Sequence, residues 1–133
     1  MDEEFLVCGY SEHSHRHAIL ADDGVTGILY LHAPSDDPAK TGVVEATCFA
    51  FNRVDPIDTR DVPSYRPNPP PIARGFASKD AVCRIPVSHI WRVNFSVDGT
   101  AALLLKDGDP WAIVSLDTPR GFSKAIAAPG PNF

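Results

Sequence analysis

Cysteine is scarce in this chain, and the little there is lies scattered. Cys8, Cys48 and Cys83 are odd in number, widely spaced and without a C-x-x-C pair. That argues against a disulfide framework and fits reduced thiols used as small core residues. Long apolar runs are missing too: none approaches the ~20 residues that a membrane span needs. Basic charge is in deficit, with 12 Lys and Arg against 17 Asp and Glu for a net charge of −5. A general nucleic-acid binder or an anionic-membrane binder needs a basic face, so neither class is expected. The start, Met1-Asp2-Glu3-Glu4, is acidic where a secretory signal would be basic, which makes the cytoplasm the expected location.

Catalytic signatures are also lacking. There is no G-x-S-x-G elbow and no cysteine beside a histidine that would activate its thiolate. Phosphate cradles of the P-loop or dinucleotide type are absent. The acidic pairs Asp22-Asp23 and Asp36-Asp37 stand where solvated turn aspartates belong.

What the chain does have is strand and turn chemistry. At 133 residues, with 44% apolar and 22% charged residues, it is expected to form one domain over residues 1–133 with a core that needs no staples. Three apolar runs near the C-terminus, Ile90–Val97, Thr100–Lys106 and Trp111–Leu116, are separated by Asp98-Gly99 and Asp107-Gly108-Asp109. Asp-Gly tolerates the positive φ of a tight turn, so this stretch reads as a three-stranded antiparallel meander. Upstream, Phe5–Tyr10, His15–Ala21, Val25–Ala33 and Val43–Arg53 read as four more strands, with Asp22-Asp23-Gly24 as a second hairpin signal. Between the two sets, residues 55–71 hold six of the thirteen prolines and end in Pro69-Pro70-Pro71. Proline removes ladder donors, so this is no central strand but a stiff strap laid over the body. The expectation is a mainly β fold: about seven antiparallel strands in a two-layer sandwich or partly rolled sheet. Short helical turns are expected near Ser78 and Phe122.

The strand faces divide sharply. In the meander, a two-residue loop at Asp98-Gly99 sets Phe95 opposite Ala102 and Val93 opposite Leu104. A three-residue loop at Asp107–Asp109 sets Leu104 opposite Ala112. One face then collects Val93, Phe95, Val97, Ala102, Leu104, Ala112, Val114 and Leu116 as core. The reverse face mixes Arg92, Asn94, Ser96 and Ser115 with Leu103, Leu105, Trp111 and Ile113. An apolar cluster on an outer face needs either an internal cover or a partner. Under the second reading, Trp111, Arg92 and Leu105 form a protein-interaction surface. In Val43–Arg53, the small residues Val44, Ala46, Cys48 and Ala50 face inward, and Phe49 and Phe51 face outward under a cover.

The remaining cluster is Glu12-His13-Ser14-His15-Arg16-His17. On an extended strand His13, His15 and His17 project to one side. A two-residue loop at Asp23-Gly24 would set His15 opposite His32 and His17 opposite Tyr30. His13, His15, His17 and His32 are therefore the candidate ligands for zinc or another divalent metal. His13-Ser14-His15 resembles the first metal motif of the cupins, and Pro86-Val87-Ser88-His89 followed by Asn94 resembles their second. Ser88 stands where the second motif has glycine, and no glutamate follows the histidine pair at the offset of the first. The resemblance implies a β jelly roll that binds a metal and, in some members, acts as an enzyme. Weighed together, the missing catalytic motifs, the acidic balance and the Trp111 surface lead to a different expectation. The chain reads as a small cytoplasmic interaction module, with no cofactor, that binds another protein, in the manner of an inhibitor or immunity protein.

Overall fold

The computed structural model describes residues 4–37, 40–65, 69–118 and 121–127. Turn chemistry divides them into two runs of consecutive hairpins. Strands β1 (Glu4–Tyr10), β2 (His17–Asp22), β3 (Thr26–His32) and β4 (Val44–Asn52) form one sheet in that order. Strands β5 (Trp91–Phe95), β6 (Ala101–Lys106), β7 (Asp109–Ser115) and β8 (Phe122–Ser123) form the second. Every pairing is antiparallel, and the sheets pack face to face without closing into a barrel. The eight strands among the described residues agree with the expectation of about seven, the addition being the two residues of β8.

The layers meet over a core that alternation selects. Ala18, Leu20, Leu29, Leu31, Ala46, Cys48 and Phe51 come from the first sheet, and Trp91, Ala102, Leu104, Ala112 and Val114 from the second. Gly9 marks how closely the sheets approach, because a Cβ there would lie 3.1 Å from Val93. The meander register is the expected one, with Phe95 paired to Ala102, Val93 to Leu104 and Leu104 to Ala112. Val97 departs from it: it is 96% exposed rather than core. Ser96 N–H donates to Ala101 O and Gly99 N–H to Ser96 O, so the turn starts earlier and Val97 falls within it.

Among the described residues the ladders shift register at four places, one of them at Leu6 in β1, and the other three re-aim side chains. In β4, Gly27 pairs with Phe51 but Ile28 with Phe49, which leaves Ala50 as the extra residue. Phe51 is thereby turned into the main core, against Trp91, instead of facing out with Phe49. A second bulge, at Glu45, sends Val44 outward, where it is 46% exposed. The third lies in β7, where Leu104 pairs with Ala112 and Leu105 with Pro110, so Trp111 is unpaired.

Part of the proline-rich stretch, with the residues that follow it, lies over the first sheet. Ile57, Val62, Ile72 and Ala73 pack on Ile28 and Phe49 as a second, smaller core. Its fastening is Asn52, fully buried, whose side-chain amide donates to Ile72 O at 2.9 Å and accepts from Ile72 N–H at 2.7 Å. The helical turns are 3-10 turns at Thr59–Tyr65 and Pro86–Ser88. Near Ser78 there is only a turn with a bridge between Ala77 and Ile126, and Phe122 belongs to β8, so neither expected helical turn forms. Among the described residues no helix is long and apolar enough to cross a membrane.

Candidate functional site

The outer face of the second sheet carries the surface that the sequence singled out. Register places Asn94, Leu103, Ile113 and Phe122 in one continuous row across all four strands. Their neighbours Val93, Ala102, Leu104 and Ala112 point into the core, so this row points away from it. Phe122 is 69% exposed and Ile113 36% exposed. Arg92 and Leu105 are a directly facing pair in the adjoining row. Ile90, just before β5 and in phase with Arg92, extends the apolar surface.

Trp111 behaves differently from the rest of that face. Its bulge turns it to the side, so that its ring packs against both cores while Nε1 donates to Ala50 O at 2.7 Å. The indole thus caps a carbonyl on β4, one of the first sheet's two edge strands, and is half-buried. Lys106 Nζ stands 4.3 Å from its ring centroid, a cation–π distance. What remains open is a shallow groove of about 260 Å³ lined by Leu103, Pro110, Trp111, Ile113, Phe122 and Lys124. Of the residues singled out from sequence, Trp111 lines this groove, whereas Arg92 and Leu105 pair in the adjoining row and do not line it. Phe122 was not foreseen, because a two-residue strand leaves no alternation to read.

The histidines do not form the row expected of a strand. Residues Ser11–Arg16 make a tight turn, with Ser11 N–H donating to Arg16 O and His15 N–H to Ser11 O, and His15 takes a left-handed φ of 60°. Only His17 of the three lies on a strand. Its cross-strand partner is His32 rather than Tyr30, because the hairpin turns at Gly24-Val25. Asp22 Oδ1 accepts from Gly24 N–H and Asp23 Oδ1 from Val25 and Thr26 N–H, and those bonds shift the turn by one residue. His15 Nδ1 bonds Tyr10 Oη at 2.7 Å, and the His17 ring lies 4.8 Å from that of Tyr10. His32 Nδ1 bonds the carbonyl of Gly42 at 3.0 Å, so that nitrogen carries the proton. His13 is exposed in the turn and has no part in this arrangement. Among the described residues, no group of three or more His, Cys, Asp or Glu side chains is placed to hold a metal ion. The jelly-roll implication of the cupin likeness fails on topology: two Greek keys are needed, whereas here each sheet is a run of consecutive strands.

Tyr10, His15 and His17 nevertheless share a cleft of about 380 Å³ with Ser35, Asp36, Asp37 and Lys40. Burial pushes the Cys48 thiol up to about 12 and raises Cys8 and Cys83 as well, away from the thiolate form. His89 and Asp107 form a 2.6 Å pair, but its work is structural. The other Asp107 oxygen accepts from Ile90 N–H, which pins the loop that leads into β5.

The fold is thus a two-layer antiparallel sandwich whose two outer faces are partly open. No family model, no curated protein and no solved structure matches the chain.

Proposed function

We propose that the protein is a non-catalytic interaction domain, of the inhibitor or immunity type, that binds another protein through the outer face of its second sheet. The observation that carries this reading is the in-register row of Leu103, Ile113 and Phe122, apolar side chains held outward on a rigid sheet. Contiguous exposed apolar surface of this kind is characteristic of binding sites. Trp111 and Arg92 supply the residue types that dominate interface energetics, and both lie on or beside that row. Because the sheet backbone is fixed by its ladders, little ordering cost is left to be met on association.

The test is affinity capture from the protein's own cell extract with the wild type and with Ile113→Asp and Phe122→Ser, followed by calorimetry on the purified partner. A partner bound saturably by the wild type and at least about tenfold more weakly by both variants supports the reading. Turnover of a substrate by the isolated chain, with no saturable protein partner, overturns it.

A further inference from the structure

The loop that leads into β5 holds apolar side chains out in water. Ile85, Val87 and Ile90 are all mostly exposed. A loose loop would fold such residues away, but this one is clamped. Its carbonyl at the buried Pro86 accepts from the Trp91 indole Nε1–H at 2.9 Å and from His89 N–H at 3.0 Å. Ser88 Oγ donates to Ile85 O at 2.7 Å. From the next turn, Asp107 accepts from His89 Nδ1 on one oxygen and from Ile90 N–H on the other, while its own N–H donates to Ile90 O at 2.7 Å. The polar atoms of the loop are engaged in the clamp, and what it presents outward is aliphatic.

The charge around this ridge is positive where it is unmatched. Asp55 is paired with Arg84, and Asp107 with His89. Asp109 stands opposite Lys106 in the ladder. Asp98 and Asp117 lie at the far end of the sheet, beyond Phe95 and Ser115. Arg92 and Lys124 are both exposed, and neither side chain has a partner among the described residues. Arg92 is on β5 and Lys124 directly follows β8, the two edge strands, with Leu103 and Ile113 between them. Two free cations therefore flank an apolar surface in a chain whose net charge is −5.

We propose that Ile85, Val87 and Ile90 extend the second sheet's outer face into one surface that fits a protein with an apolar depression rimmed by carboxylates, a proposal that rests on the partner-binding reading above and adds the partner's chemistry. Ile90 is in phase with Arg92 and joins the ridge to the face. A convex aliphatic ridge is complementary to a concave apolar site, and side chains anchored in such pockets dominate binding energy. Because the clamp already fixes the loop, little ordering remains to be done on association. Arg92 and Lys124 then meet the acidic rim, where charges steer encounter and set the salt dependence. A nucleic acid supplies anions but no aliphatic depression, so the chemistry favours a protein.

Calorimetry with the full chain and the partner purified by capture from cell extract tests this. Val87→Asp, and Ile85→Ser combined with Ile90→Ser, should each bind at least about tenfold more weakly. Urea unfolding of these variants should match the wild type, because the side chains face water. Arg92→Glu combined with Lys124→Glu should weaken binding by a similar factor and slow association, and wild-type binding should weaken as salt rises. Unchanged affinity in the ridge variants, with loss in Ile113→Asp and Phe122→Ser, overturns the proposal and leaves the partner-binding reading standing. Equal or tighter binding after the charge reversal overturns the acidic rim. Saturable binding to vesicles of phosphatidylcholine and phosphatidylglycerol, lost in Val87→Asp, overturns the proposal in favour of a lipid surface. The absence of any saturable protein partner overturns both readings.

Discussion

The first sheet has part of its outer face roofed by the proline-rich crossing, through Ile57, Val62, Ile72 and Ala73. The second presents Leu103, Ile113 and Phe122 outward, with Phe122 mostly in solvent. Both are four-stranded antiparallel sheets that bury their inner faces in one shared core. The difference lies in what the chain supplies for the outside. A sheet that keeps its own cover puts its large outward residues, such as Ile28 and Phe49, into stability. A sheet without one leaves comparable residues available for recognition.

The comparison can be broken at its fastening. Asn52→Ala leaves the buried Ile72 N–H and C=O without their partners, each worth about 1–3 kcal/mol when orphaned. A loss of about 4 kcal/mol is expected in urea unfolding, and limited proteolysis should begin between Asp55 and Tyr65. Next in size is the contrast between the two faces of the second sheet. Leu104→Ala on the buried face of β6 should cost about 3 kcal/mol. Ile113→Ser, on the outer face of β7, should change stability by less than about 0.5 kcal/mol while weakening partner capture. Equal losses from the two would show that the outer face is structural.

The smallest effect concerns the turn between β5 and β6. Hydrogen bonds from Thr100 Oγ1, Ser96 Oγ and Thr100 N–H hold the Asp98 carboxyl down at about 2, below its ordinary 3.8. A depressed carboxylate contributes stability that is fully present above the unfolded value and is lost as pH falls through the folded one. Asp98→Asn should therefore lower stability near neutrality, where the contribution is fully present, and flatten the acid limb between pH 3.8 and about 2 so that variant and wild type converge at the acid end, as read by urea unfolding at stepped pH. Asp107, lowered by Ile90 N–H and by His89, acts in the same direction.

Sequence alternation made the meander and its buried face legible, because Asp-Gly turns and a period of two specify both register and inside. It failed where single residues break that period. The bulge at Ala50 sent Phe51 to the opposite face, and the one at Trp111 turned the indole sideways onto β4. Nothing in the local residue types announces either bulge. The first hairpin was misread for a different reason: carboxylate-to-backbone bonds from Asp22 and Asp23 compete with the Asp-Gly preference and move the turn to Gly24-Val25. The histidine cluster held its interest but not its geometry, since the Ser11–Arg16 turn bends what reads as an extended run. Asp36 and Asp37 meet His15 and His17 only through folding, so no spacing along the chain could have paired them.

The consecutive order of strands within each layer has a kinetic consequence. Each layer assembles from adjacent hairpins, whose contacts are short-range and form quickly. Only the joining of the two finished halves needs distant parts of the chain to meet, and the Ser14 hydroxyl on the Gly99 carbonyl is one of the latches at that seam. Loosening this latch should hasten unfolding while leaving the speed of hairpin formation as it was.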